Sequence, residues 1–392
     1  MNLTDFPEIR NWINQFEFQD RFLAEYMLRR LRYISFEEFE TWLQQEVKNL
    51  IKQIGNEPVA LFPVTKPKIC KYSKDKEYKP SNDSSGRIAH ALKNLERGSN
   101  NYIELTPRID SMRSRRVRHI FYVDDYIGTG ERFIKFWRND VSSSIKSWSS
   151  FGWCKIWILS FAAHEQGIKK IINRIRCIKH EQIKIKLDIS KSFINEDKML
   201  LNFCNKYTSH IFNSSISNSF GNLLSPIIFQ HGCPNNAPLI LWKKAINFKG
   251  WSPLFPERSI PNSLYEIFNE DFSYEAITED LWLIDQYNLA LSFLENPNIF
   301  SHKKEHLLVL AYIQAKKNIE KIKNILIMSE ADFDQLLTDL KNYGLIDGSL
   351  QITDFGRELL IRIAKLKPIK KKDINHYKYF YPSSFLGFQR EI

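Results

Sequence analysis

The stretch from Arg118 to Trp137, RHIFYVDDYIGTGERFIKFW, constrains this chain more than any other. An apolar run, Ile120 to Val123, ends in two adjacent carboxylates, Asp124 and Asp125. Gly128-Thr129-Gly130 follows, and then an amphipathic run carrying Phe133, Ile134, Phe136 and Trp137. In order this is a buried strand, an acidic pair, a tight loop with a hydroxyl, and the start of a helix. A loop that opens a helix can turn several backbone N–H groups toward one anion. A carboxylate pair beside it accepts hydrogen bonds from vicinal hydroxyls or sits near a cation. Anion, diol and metal together describe a ribose 5-phosphate.

The surrounding pattern is α/β. Residues 4–54 carry helical spacing, with Phe22, Leu23, Tyr26, Met27 and Leu31 on one face and a capping box at Ser35 and Glu38. Val59 to Phe62 is a short strand stopped by Pro63, and Val64 to Pro80 is a Lys-rich loop. A helix follows from Ser84. The polar stretch Gly98 to Val117, with Arg108, Arg113, Arg115 and Arg116, reads as a long mobile loop or lid. A Ser-rich connector, Ser142 to Ser150, leads to a strand over Trp157–Ala162, a helix over Gly167–Cys177 and strands at Ile183–Ile189 and Ile227–Phe229. Strands alternating with helices predict a mostly parallel sheet with ligands at its C-terminal edge. Asp124, Asp125, His164, Glu165 and His231 would all fall at that edge.

Beyond Trp251-Ser252-Pro253 the pattern changes. Three helices, a turn at Tyr343–Gly348 and the run Leu350 to Gly356 read as a winged helix-turn-helix. Its recognition helix, Ser329 to Lys341, carries Glu330, Asp332, Asp334 and Asp339 against one lysine. Phosphates repel such a face, which favours protein docking over duplex DNA. The basic tail after Lys365 is the better nucleic-acid contact. The expected units are residues 1–56 (helices packed on the next domain), 57–260 (the α/β domain), 261–300 (a helical linker), 301–366 (the winged helix) and 367–392 (a basic, aromatic tail).

Composition narrows the class. No apolar run reaches the ~18 residues a membrane span needs, so no membrane contact and a cytoplasmic location are expected. The five cysteines are scattered, without a CxxC, which argues against a disulfide framework or a zinc site. The formal net charge of +11 favours anionic partners. Cys233 is a thiol nucleophile only if a base stands near it.

Val123, Asp124, Asp125, Thr129 and Gly130 resemble the phosphoribosyl pyrophosphate (PRPP) motif of type I phosphoribosyltransferases. The resemblance implies that Asp124 and Asp125 carry the chemistry by holding the ribose hydroxyls. The 5-phosphate would sit on Tyr126, Ile127, Gly128, Thr129 and Gly130. Pyrophosphate and its Mg²⁺ would lie toward Phe62, Pro63, Val64 and Thr65. The metal is expected to be held through PRPP, with Asp124 and Asp125 as the side chains that could assist. The loop departs from that family at Gly128 and Arg132, where hydroxyls are common, and at Glu131, an acid on a phosphate loop. Arg132 could pair with the phosphate instead.

A closer likeness rests on four stretches in order: a QF near the start, DDYIGTG, HGCPNNAPLILW and WSPLFPER. They are similar to a phosphoribosyltransferase-like family of bacterial conflict systems. Its members are often followed by a winged helix and occur beside retron reverse transcriptases. That resemblance implies an anti-phage effector acting on PRPP or nucleotides, by phosphoribosyl transfer or N-glycosidic cleavage. Reverse transcriptase and its RNA/DNA product would be partners. His231, Asn235 and Asn236 would recognise the leaving or accepting group, or else form a loop stiffened by Pro234. A nucleotide-sensing regulator without turnover, or a DNA-binding protein, is the alternative.

Overall fold

The structure is a computed structural model that describes residues 3–55, 57–65, 84–98, 102–191, 194, 197–212, 217–245, 250–265, 273–296 and 304–366. Most of the Lys-rich stretch after Val64, from residue 66, and the basic tail from residue 367 lie outside the described residues.

Two short helices, α1 (Pro7–Ile13) and α2 (Arg21–Arg29), precede a strand, β1 (Arg32–Ile34). Helix α3 (Phe36–Gln53) starts at Ser35, whose side chain accepts from the Glu38 amide, and buries Phe39, Trp42, Leu43, Val47 and Leu50. Then come β2 (Val59–Pro63), α4 (Ser84–Arg97), β3 (Ile103–Leu105) and α5 (Ile109–Ser114). The central strand β4 (His119–Ile127) leads into α6 (Glu131–Asn139) and α7 (Ser143–Ser150). The unit continues through β5 (Lys155–Ala163), α8 (Glu165–Arg174), β6 (Ile183–Asp188) and β7 (Ile227–Phe229).

The main sheet has five strands in the order β3-β2-β4-β5-β6, all parallel. From β2 the chain winds outward to β3, and from β4 it winds the other way to β5 and β6. The switch point is therefore between the ends of β2 and β4, where α/β sheets bind ligands. Eight of the nine β4 residues are buried, as expected for a parallel strand covered on both faces. One face packs Leu61, Phe121 and Leu159 against α3 and α4; the other packs Ile120, Tyr122 and Ile158 against α6, α7 and α8.

Three expectations need correction. The first 54 residues are not uniformly helical, because β1 pairs in parallel with β7 as a separate two-stranded sheet. Residues 142–150 are not a bare connector: Ser142 caps α7 by accepting from the Ser144 amide, and Ile145 is buried. Residues 98–117 do not form a long loop. They carry edge strand β3 and α5, which bury Ile103, Met112 and Val117. The helices before β1 share one core with residues of 194–264, including Trp12, Phe16, Phe203 and Phe255. This second layer, with β7, stands beside the C-terminal edge of the main sheet.

The C-terminal part has helices Lys304–Gln314, Ile319–Leu326 and Glu330–Asn342, a bridge between Ile346 and Ile352, and helix Asp354–Ala364. That is a winged helix-turn-helix, as the spacing predicted. Ser329 and Thr353 cap its last two helices by accepting from the Asp332 and Gly356 amides, each at 3.0 Å. No described helix is long and apolar enough to cross a membrane.

Candidate functional site

The site begins inside a strand rather than after it. β4 continues through the acidic pair to Ile127, because β5 stays paired with it: Asp124 faces Ser160, Tyr126 faces Ala162 and Ile127 faces Ala163. Both carboxylates are therefore held by the sheet and buried. Their partners come from other elements. Arg132, in the first turn of α6, places its guanidinium 3.3 Å from Asp124 and 3.5 Å from Asp125. The same guanidinium donates to the Val64 carbonyl beyond β2, at 3.0 Å. His231, just after β7, brings Nε2 to 2.7 Å from Asp125 Oδ2. Its ring stacks on Phe229 at 5.1 Å and stands 5.6 Å from Phe36 at the start of α3. Arg87 of α4 in turn lies over Phe36 at 4.5 Å.

These contacts split the two acids. Burial raises the Asp124 carboxyl well above its usual range, and the neighbouring Asp125 charge adds to this against the pull of Arg132. Burial would raise Asp125 as well. The His231 hydrogen bond and the Arg132 charge outweigh it, so Asp125 is held well below the carboxylate range. One acid thus tends to keep its proton while its neighbour stays ionised, the behaviour of a coupled pair. Together they can accept from one hydroxyl and donate to another.

The loop beyond the pair is shaped to receive an anion. Gly130 caps α6 with φ of 76°, a left-handed conformation that suits glycine. The N–H groups of Gly128, Thr129 and Gly130 find no backbone acceptor among the described residues, nor does the Thr129 hydroxyl make a hydrogen bond there. The first α6 amides add the unsatisfied donors common to helix starts. At Gly128 the constraint is space: a Cβ there would meet Asn236 Oδ1 at 2.3 Å and the Tyr126 ring at 2.8 Å. Glu131, the misplaced acid of the loop, is paired with Lys170 at 2.6 Å and so is largely neutralised.

A cavity of about 600 Å³ opens over these groups, within the size range of small-molecule sites. Asp124, Asp125, Tyr126, Ile127, Gly128, Thr129, Gly130, Arg132, His231, Asn235 and Asn236 all line it. Phe62, Pro63, Val64 and Thr65 do not. Of these four, Val64 acts through its carbonyl by fixing Arg132. His164 and Glu165 stay outside the cavity too: His164 caps α8 by accepting from the Gln166 amide, and Glu165 pairs with Lys169. Cys233 is buried, and burial pushes its thiol up, so it is no ready nucleophile. Two arginines of 98–117 are occupied elsewhere: Arg115 binds Glu104 at 2.7 Å, and Arg113 lies over Trp148.

Sequence reasoning passed over Phe36, Phe229, Arg258 and Ser259. The last two line the cavity with Glu257, and both Glu257 and Arg258 have positive φ. The WSPLFPER stretch, which ends at Arg258, was the available signal for Arg258. Among the described residues no group of three or more His, Cys, Asp or Glu could hold a metal ion. Two carboxylates already paired with Arg132 and His231 do not fit an octahedral Mg²⁺ site by themselves.

The family model PRTase-CE matches residues 9–257, most of the chain. The chain belongs to the PRTase-CE family. A second model, described as wHTH-PRTase associated, matches residues 307–387. No curated protein and no solved structure matches the chain. Membership joins the two halves of the description: a phosphoribosyltransferase-like domain with its associated winged helix, and with them a role related to phosphoribosyl transfer. In this PRTase-CE protein the winged helix is compatible with nucleic-acid or protein contact. The start of its 330–342 helix faces the protein's own α3 and β6, with Lys186 lying 3.5 Å from Glu38 and 3.8 Å from Asp332.

Proposed function

We propose that the cavity binds a ribose 5-phosphate compound, PRPP or a nucleotide, and that the chain acts at C1 of its ribose. The reaction would be phosphoribosyl transfer or cleavage of an N-glycosidic bond. The observation that carries this reading is the buried acidic pair, held by Arg132 and His231, opening onto a loop with free amide donors. The 5-phosphate takes the amides of Gly128, Thr129 and Gly130 and the Thr129 hydroxyl. The 2- and 3-hydroxyls take Asp124 and Asp125. Entry of the diol displaces Arg132 and His231 from the carboxylates. Arg132 can then turn toward a phosphate, and His231 can offer its imidazole to the leaving or accepting group. Holding the phosphate and the diol fixes the ribose, so binding energy from remote groups serves the oxocarbenium-like transition state at C1. Mg²⁺, in this reading, arrives on the ligand's pyrophosphate.

The defence setting belongs to the same proposal. The HGCPNNAPLILW and WSPLFPER stretches support an anti-phage effector of retron type, with a reverse transcriptase and its RNA/DNA product as partners. The neighbouring genes test that part directly.

The chemistry is tested by incubating the protein with PRPP, Mg²⁺ and a mixture of nucleobases and nucleotides, followed by mass spectrometry. Consumption of a ribose phosphate, lost in Asp124→Asn with Asp125→Asn, is the expected result. A second reading, a nucleotide sensor without turnover, is favoured by the pair's existing ion pairs with Arg132 and His231. Binding with every metabolite unchanged would select it.

A further inference from the structure

The opposite end of the main sheet carries a feature that the cavity does not use. Phe151 and Trp153 are 68% and 62% exposed, and their rings stack on each other at 5.3 Å with 29° between planes. Aromatic rings left in water in this way mark a surface that something covers. The platform is fixed, not loose. The Phe151 amide donates to Ser147 and the Trp153 amide to Trp148, at 3.0 and 2.8 Å. Gly152 between them has φ of 73°, and a Cβ there would meet nothing, so its glycine serves the turn alone.

Cations share this end of the sheet. Lys155 begins β5 beside Arg118, whose carbonyl accepts from the Lys155 amide at 2.7 Å, and its ammonium lies over the Trp157 ring at 4.5 Å. Arg116 precedes Arg118. The turn between α8 and β6 brings Arg176 and Lys179 to the same end. It is tied there by the Ser149 hydroxyl 3.4 Å from Cys177 Sγ and by Gln182 donating to the Ile156 carbonyl at 2.6 Å. All five cations are exposed, and none has a carboxylate within 4.0 Å among the described residues. Their field is felt locally: Lys155 and Arg118 help burial to lower His119, against Glu57. Acids at this end include Glu57, 3.4 Å from His119, the exposed Glu181, Asp140 at the end of α6, and Asp110, 3.9 Å from the Arg113 that lies over Trp148.

The geometry points to this end of the sheet as a binding surface for single-stranded nucleic acid. A flat aromatic stack offers its outer faces to unpaired bases, and cations on three neighbouring elements track a phosphate backbone. A base-paired duplex keeps its bases stacked inside and presents no face to Phe151 or Trp153. An acidic peptide would use the cations but leave the rings idle. From His119, at this end, β4 runs five residues to Asp124 at the cavity, ~16–17 Å at the usual strand rise. The strand bound here is therefore an anchor for the protein and not the compound in the cavity.

The test is fluorescence anisotropy on the full chain with a labelled oligothymidylate of about 20 nucleotides, an abasic phosphate chain of the same length, a blunt duplex and phosphatidylglycerol vesicles. The chain should bind the oligothymidylate at least tenfold more tightly than the abasic chain, by the usual worth of base stacking. Phe151→Ala with Trp153→Ala should remove that preference and leave abasic binding unchanged. Arg118→Glu with Lys155→Glu should weaken both single-stranded ligands and lower the salt dependence. Equal affinity for the base-bearing and abasic chains in the unaltered protein would overturn the proposal, whatever the variants do. So would a preference for the duplex, or for the vesicles over both oligonucleotides.

Discussion

Two clusters of buried charge invite comparison. One joins α2 to the helix Ser273–Leu283. Arg30 pairs with Asp280, and Arg29 lies 2.5 Å from Glu25 and 3.6 Å from Glu279. The other is the set of Asp124, Asp125, Arg132 and His231. Both combine arginine with adjacent carboxylates, and both are deep. They differ in what lies on the far side. The first is packed: Arg30 sits over Tyr26 at 4.6 Å, and burial raises both of its acids, Glu279 to about 7. The second opens onto the cavity, Arg132 is 31% exposed, and its acids diverge in opposite directions. A buried ion pair alone therefore says little about function. Paired acids that line an open cavity say much more.

The largest test of this contrast is thermodynamic. Asp280→Ala leaves Arg30 buried without its carboxylate and should cost ~3–5 kcal/mol in chemical denaturation. Asp124→Asn with Asp125→Asn should cost less than half of that, because Arg132 and His231 reach the cavity and stay hydrated. Similar losses in the two variants would erase the distinction. Gly128→Ala should come next. Its methyl must displace the Asn236 carboxamide, which should cost ~1–3 kcal/mol of stability and weaken ribose-phosphate binding in a titration. A variant with unchanged affinity would remove Asn236 from the site.

The pH dependence gives a smaller but signed effect. Asp125 is held low in the folded state, so the stability it contributes is present above the unfolded carboxylate range. That stability is lost as pH falls through the folded value. His231→Gln removes the partner and should move acid unfolding to higher pH. Glu279 behaves oppositely. Its folded pKa of about 7 exceeds the ordinary 4.5, so its contribution is fully present below 4.5 and declines as pH rises toward 7. Glu279→Gln should flatten stability across that window, as urea midpoints at several pH values would show.

Much of this layout was legible in the residues, and the reasons for the gaps are physical. The DDYIGTG run announced its strand, its loop and its helix because all three are local. The winged helix was legible for the same reason, through its spacing and its caps. β1 was not, since Arg32-Tyr33-Ile34 is three residues long and its partner strand begins only at Ile227. The serines of 142–150 read as a linker, although Ser142 serves as a cap and Ile145 as a core residue. The supposed lid fails because Ile103, Met112 and Val117 tie it to the sheet edge. Within the site, the acids and the loop could be named from sequence. The link between Asp125 and His231 could not, because it joins residues 106 apart and depends on β7 lying beside the end of β4. Arg132 was expected to meet a phosphate. That it also braces the two acids and the Val64 carbonyl is what only the fold reveals.

The central claim is that the buried acidic pair and its loop bind a ribose phosphate. Isothermal titration calorimetry of PRPP with Mg²⁺ tests it most directly, on the unaltered chain and on the folded Asp124→Asn, Asp125→Asn variant. The account predicts one site per chain, with affinity reduced at least a hundredfold in the variant. Equal binding by both proteins would contradict it.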